Sequence, residues 1–252
     1  MKQNRNFLIL GVTGGAGSGK TTVVEQIKQA VPTVFLHCDV IAHKLMEPGG
    51  ASYAALVQEF GEKILEDTEP SEHTEDTSKQ ILQAAEGTEI KYLALSEKQQ
   101  RPISRPKLAK IAMATEESRK RLNELTHPLV QQAVENELKR LEAENFHGVA
   151  VIEAALLIEA GYKSICDSLW YVHAPLEHRI RRMKEYRGYS DEKIANILAG
   201  QLSEEEFKAN ADVVIENPDG GEAEVLPQIL AALQNLHTFK ILSGKYTTNV
   251  IE

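Results

Sequence analysis

The chain has 252 residues, 42% hydrophobic and 26% charged, which fits a globular protein of one large domain or two small ones. Lys+Arg 28 against Asp+Glu 37 leaves a net charge of −9, which argues against broad binding to nucleic acid or to an acidic membrane surface. No apolar run approaches the ~20 residues of a membrane span. Chains of this size bury about 70–75% of the surface exposed when unfolded, so the core needs no staples. The two cysteines, Cys38 and Cys166, therefore need no bridge, and low cysteine usage without a secretory leader points to the cytoplasm.

In chain order, Phe7–Val12 is a short apolar run that ends in glycines and is followed by a helical pattern over Lys20–Ala30, a buried strand feeding a helix. Strand-length apolar runs recur at Thr33–Leu36, Gly148–Ile152, Ser168–Val172 and Asp212–Ile215, with helix-period segments between them. That alternation predicts a parallel sheet covered by helices on both faces. About a hundred residues separate the second and third strands, and most carry helical patterns: Ala51–Leu65 is amphipathic, and Glu116–Leu141 repeats leucine and valine at helical spacing. This is a helical subdomain inserted into a doubly wound core. Inside it, Glu66–Asp76 has six acids and no Lys or Arg, and reads as a solvated, mobile loop. His127-Pro128 is expected to kink or restart the long helix. Leu226–Leu236 reads as a last amphipathic helix, and the tail from Thr238 has no clear period.

The strongest chemical signal is Gly14-Gly15-Ala16-Gly17-Ser18-Gly19-Lys20-Thr21, a glycine, four residues, then Gly-Lys-Thr, placed between a strand and a helix. Its backbone N–H groups and the helix N-terminus converge on one anion. Lys20 is expected to reach the β- and γ-phosphates of a bound nucleotide, and Thr21 to ligate Mg²⁺. A phosphate loop alone says nucleotide and not reaction. No guanine-reading Asn-Lys-x-Asp stretch is present, which disfavours a GTPase, and one such loop in a short chain disfavours a large motor.

Asp39 follows the second strand, and ligands of open α/β sheets bind beyond the carboxyl ends of the strands, so its carboxylate is expected to face the loop. There it serves as a base for an attacking hydroxyl, as a water-mediated metal contact, or simply as a helix N-cap. Glu153 ends the third strand, where an acid positions Mg²⁺ through water or holds a loop. Glu159 is either an acceptor contact or a surface acid. Arg179, Arg181, Arg182 and Arg187 crowd a helix and turn ending at Gly188, as a closing lid needs. Arg179 and Arg182 share a helix face while Arg181 points elsewhere, and Arg187, at the turn, is the preferred catalytic arginine. His127 is a packing residue or an acceptor contact. Zinc binding by His37 and Cys38 lacks matching ligands nearby.

With Val12–Thr22, the chain resembles the dephospho-CoA kinases through Cys38–His43, Glu47-Pro48-Gly49, Phe60-Gly61, Ile103–Leu108, Leu122–Pro128, Leu156–Glu159, Gln201 and Ala211–Asn217, in the family's order from about residue 7 to 236. The resemblance implies an α/β fold with a P-loop kinase core, a parallel sheet flanked by helices, an inserted helical acceptor-binding subdomain and a helical lid. It implies a core over 1–45 and 146–237, a lid over about 176–202, the subdomain over 46–145 with an acidic insertion at 66–101, and a tail at 238–252. It also implies transfer of the ATP γ-phosphate to the ribose 3′-hydroxyl of dephospho-CoA with Mg²⁺, in the cytoplasm, with no nucleic-acid or membrane partner. Asp39, Lys20 and Arg187 would be catalytic, and Gly14–Thr22 with Asn217 would hold the nucleotide. Asp39, Arg105, His127 and Glu159 would hold the acceptor, and Thr21 and Glu153 the metal. Departures from the family pattern are His37 in place of a first acid, Glu153-Ala154-Ala155 without its proline, a lid turn one residue longer, and Asn196 where an arginine is common. The alternatives are another P-loop kinase acting on a nucleoside or small alcohol, and a nucleotide-binding protein without transfer activity.

Overall fold

Apolar residues in unbroken runs make strands that are buried on both faces, and β1 (Phe7–Thr13) is buried along its whole length. The computed structural model describes residues 5–67, 101–154 and 157–236. β1 lies at the centre of a five-stranded sheet in the order β2-β3-β1-β4-β5, with β2 Thr33–His37, β3 Gly148–Glu153, β4 Ser168–His173 and β5 Val213–Glu216. Every pairing is parallel, as the alternation of strands and helices requires. The register sets His37 and Val12 on either side of Glu153, so three strand ends reach one edge of the sheet together.

The chain divides into two compact units, Met1–His37 with Arg140–Glu252, and Cys38–Lys139. In the first, Leu8, Leu10 and Val12 of β1 pack with Val149, Val151, Trp170, Val172 and Ile215. They meet Val23, Val24 and Ile27 of α1 (Lys20–Ala30) on one face. The last helix of the unit completes that layer with Val225, Ile229 and Leu233. Burying a Val, Leu or Ile side chain contributes about 1.5–3 kcal/mol each, so this layer fixes the sheet and with it the loop at the end of β1.

The second unit holds α2 (Cys38–Leu45), α3 (Tyr53–Phe60), α4 (Arg105–Ala112) and most of α5 (Glu116–Ala143). Its core is Tyr53, Leu56, Phe60, Ile64, Ile103, Leu108 and Ala112, with Leu122 and Leu125 against it. The expected restart at Pro128 does not occur: α5 runs unbroken through it, because a proline removes one N–H while the flanking turns keep theirs. The two ends of the acidic segment are pinned together by an antiparallel bridge between Leu65 and Ile103 and a 2.8 Å bond from Glu66 N to Pro102 O. Lys107 adds a 2.7 Å ion pair to Asp67. The rest of that segment and the tail after Leu236 lie outside the described residues.

Beyond β4 run α6 (Leu176–Arg187), α7 (Asp191–Ala199) and α8 (Glu204–Asn210), and α9 (Glu222–Asn235) is the last element among the described residues. Ser190 and Ser203 cap α7 and α8 through the N–H groups of Lys193 and Glu206, and Ser203 with Glu206 forms a full capping box.

Candidate active site

Between β1 and α1 the chain makes a tight cup. Ser18 N donates to Gly15 O at 3.1 Å, and Gly17 and Gly19 take left-handed backbone angles, φ +79° and +88°. A Cβ at Gly17 would stand 2.6 Å from Arg179 O, and one at Gly19 would stand 2.1 Å from Asn217 Nδ2. Both positions therefore need glycine for conformation and for close approach. Lys20 Nζ donates to Gly14 O at 2.9 Å and lies 3.9 Å from Glu153 Oε1. Thr21 and Thr22 are exposed in the first turn of α1, whose N–H groups have no carbonyl to meet there. Glu153 is buried, 8% exposed, and its other oxygen lies 3.2 Å from His37 Nε2. Ser18 Oγ and Asn217 Oδ1 are buried with no hydrogen-bond partner among the described residues.

The carbonyls of this cup are held from outside by α6. Arg182, with 14% of its side chain exposed, donates to Gly17 O at 3.2 Å, Ser18 O at 3.3 Å and Asn217 O at 2.9 Å, and pairs with Asp219 at 2.7 Å. Arg179 Nε donates to Ala16 O at 3.0 Å, and burial holds its guanidinium below the ordinary arginine range. Asn217 Nδ2 adds a 2.8 Å bond to Ser18 O. Arginines that occupy loop carbonyls leave the loop's N–H groups to face an anion.

The spacing separates Arg179 and Arg182 from Arg181, and so does the structure: Arg181 is half exposed and, among the described residues, meets only the Asp219 carboxylate. Arg187, the sequence's preferred catalytic arginine, is exposed at the last residue of α6 with its guanidinium 6.0 Å from the Tyr189 ring. The arginines that touch the loop are Arg179 and Arg182. The sequence carried their signal, since three-residue spacing on a helix directly after a strand end aims both at one neighbour. Behind them Tyr171 stacks on Phe207 at 4.9 Å, and burial pushes the Tyr171 phenol up to about 12.

The structure thus brings Gly14–Thr22, Lys20, Thr21, Glu153 and Asn217 together, and Glu159 is exposed in a turn after β3. In the helical unit, Asp39 is exposed in the first turn of α2. Arg105 opens α4 and touches the His43 ring at 3.0 Å, and His127 lies half-buried within α5. A groove of about 500 Å³ in this unit is lined by Glu59, Lys63, Ile111, Lys120, Arg121 and Glu124 among others, and includes none of the three. Among the described residues no group of three His, Cys, Asp or Glu side chains forms a metal cage, and no helix is long and apolar enough to cross a membrane.

The family model for dephospho-CoA kinase matches residues 8–75 and 92–223, running from β1 through both units to α9. The chain belongs to the dephospho-CoA kinase family. Its members are ATP-dependent kinases, and the transferase chemistry matches a phosphate loop carrying Lys20 with Glu153 of β3 beside it. The dephospho-CoA kinase of Corynebacterium diphtheriae is 31% identical over 225 residues, covering 89% of this chain and 94% of its own. That of Carboxydothermus hydrogenoformans is 33% identical over 227 residues, covering 90% and 93%. A Thermus thermophilus crystal structure, 26% identical, superposes with a TM-score of 0.67 over 91% of this chain and 97% of its own. The dephospho-CoA kinase structure from Campylobacter jejuni shares the fold at a TM-score of 0.57 and 20% identity, over 94% and 98%. Between the two matched segments only residues 76–91 fall outside the family model, a shorter stretch than the insertion at 66–101 that the resemblance implied.

Proposed function

We propose that this kinase transfers the γ-phosphate of ATP to the 3′-hydroxyl of the ribose of dephospho-CoA, giving CoA and ADP. The observation that carries the reading is the cup of Gly14–Lys20, held by Arg182 and Asn217, in a chain matched by the dephospho-CoA kinase model through both units. Lys20 swings from Gly14 O to the β- and γ-phosphates, and the N–H groups of Gly17, Gly19, Lys20, Thr21 and Thr22 take the remaining phosphate oxygens. Asp39, exposed in the first turn of α2, accepts the proton of the attacking hydroxyl. Arg187 is proposed as the lid charge that meets the transferring phosphoryl group. Arg105, His127 and Glu159 are proposed to hold the acceptor, with Asp39.

The Thr21 hydroxyl and the Glu153 carboxylate are hard oxygen donors beside Lys20, and they fit Mg²⁺, which takes one or two protein oxygens and keeps phosphates and waters for the rest. Bound there, Mg²⁺ would neutralise charge on the β- and γ-oxygens. Unbridged Cys38 and Cys166 support a reducing, cytoplasmic setting for the reaction.

The test is ADP release with ATP and Mg²⁺ across a panel of dephospho-CoA, adenosine, other nucleosides and no acceptor. ADP release confined to dephospho-CoA is expected. Faster release with a nucleoside would replace the acceptor assignment, and bound ATP without turnover on any acceptor would end the kinase reading.

A further inference from the structure

One side chain outside the loop, outside α6 and outside every role assigned so far reaches the phosphate loop. Gln201 sits in the connection between α7 and α8, 185 residues from Ala16 in sequence. Its Oε1 accepts two N–H groups at once, Ala16 N at 3.2 Å and Arg179 Nη2 at 2.8 Å. Arg179 Nε in turn donates to Ala16 O at 3.0 Å. The Ala16 peptide is therefore gripped on both sides, its N–H by Gln201 and its C=O by Arg179, and the two gripping groups are bonded to each other. The fit is close: a Cβ at Gly15 would fall 2.1 Å from Arg179 Nη2.

Gln201 is itself held from below. Two residues on, Ser203 caps α8, and Phe207 of α8 stacks on Tyr171 of β4 at 4.9 Å with the rings 4° from parallel. His173 at the end of β4 lies 3.3 Å from Glu204, the first residue of α8. The α7–α8 connection is thus fastened to the sheet, and through one carboxamide the sheet fastens the loop.

We propose that Gln201 is a positioning residue for ATP: it sets the Ala16 peptide through Arg179 so that the loop is shaped before the nucleotide arrives. A flexible glycine loop that must be ordered on binding gives up affinity, and holding it beforehand returns that affinity. A carboxamide is the apt group for this task. It accepts from a neutral peptide N–H and a guanidinium together, and adds no negative charge beside a site for phosphates. The inference rests on the ATP-binding reading of the loop and is independent of which acceptor is phosphorylated.

The experiment compares the parent with Gln201→Leu, which cannot accept a hydrogen bond, and Gln201→Glu, which can. The dissociation constant of ATP is measured by titration calorimetry, the KM of ATP and of the acceptor separately, and amide exchange of the Gly14–Gly19 segment without nucleotide. With Leu, ATP is expected to bind about tenfold more weakly, from the loss of one charge-assisted and one neutral hydrogen bond. Exchange at Ala16 is expected to quicken, and the acceptor KM to stay as in the parent. With Glu, Ala16 exchange is expected to remain slow. If Leu does not fold, Gln201→Asn, which withdraws the oxygen by one methylene, takes its place with the same expectations. Unchanged ATP affinity in the Leu or Asn variant would overturn the proposal. A loss of ATP affinity with no turnover of dephospho-CoA even by the parent would uphold Gln201 and end the acceptor assignment instead.

Discussion

Replacing Arg182 by methionine keeps most of the stem and removes the guanidinium, which separates the packing of this residue from its hydrogen bonds. The charged group donates to Gly17 O, Ser18 O and Asn217 O and pairs with Asp219. Two of these partners have substitutes: Ser18 O keeps Asn217 Nδ2, and Asp219 keeps Arg181. The carbonyls of Gly17 and Asn217 lose their side-chain donor. At about 0.5–1.5 kcal/mol for each net hydrogen bond, the loss is about 1–3 kcal/mol. For a chain of this size each kcal/mol lowers Tm by about 2–4 °C, so a drop of about 2–12 °C is expected. The loop then has to be ordered by the nucleotide, and if most of that loss appears in binding, ATP affinity falls by about tenfold or more. Arg181→Met is the internal control, since Arg181 is half exposed and meets the Asp219 carboxylate rather than the loop. Exposed pairs contribute about 0–1 kcal/mol, and this variant should bind ATP like the parent. Thermal melts and calorimetric titration with ATP read both effects. Parent-like ATP affinity in Arg182→Met, or equal losses in the two variants, would refute the reasoning that Arg182 shapes the loop.

Asp39→Asn is expected to lower kcat by about 10²–10⁴-fold with ATP affinity kept, and a near-parent rate would remove Asp39 as the base. Arg187→Ala should reduce kcat by at least about tenfold while leaving Tm in place, because this side chain is exposed and lies against the Tyr189 ring; an unchanged kcat would take Arg187 out of the transfer step. Gly17→Ala combines a φ of +79° with a Cβ set 2.6 Å from Arg179 O, so about 1–2 kcal/mol of backbone strain adds to the clash and ATP binding should be lost; normal binding would show that the loop bends readily. The Tyr171 phenol titrates near 12 in the folded chain against 10.0 as a free side chain, so the folded state holds the proton longer. That stabilisation is complete below pH 10 and fades as pH rises from 10 to 12, and Tyr171→Phe should flatten that part of the stability curve; matching alkaline curves for the two proteins would count against it.

All five strands were legible as apolar runs, because a parallel sheet buried on both faces demands them, as β1 shows from Phe7 to Thr13. The phosphate loop was legible because glycine spacing is dictated by close approach, here of Arg179 O to Gly17 and of Asn217 to Gly19. What the sequence concealed is who holds the loop. Arg179, Arg182 and Gln201 reach it from more than 160 residues away, and contacts of that kind leave no local period. The helical spacing of Arg179 and Arg182 indicated a shared face but not its target. Helices α4, α7 and α8 are short, seven to nine residues with one or two buried positions each, so no long apolar pattern marks them. Pro128 misled in the opposite sense, because one missing donor does not end a helix with long flanks on both sides.

The central claim is a phosphoryl transfer to one hydroxyl of one acceptor, and following the phosphorus itself tests it most directly. The full chain, incubated with ATP, Mg²⁺ and dephospho-CoA, would be followed by ³¹P NMR. The expected result is a new phosphomonoester signal on the ribose 3′ position, growing in step with ADP and absent with Lys20→Ala. ADP appearing together with free phosphate and no such ester, or no change while ATP is bound, would contradict the account.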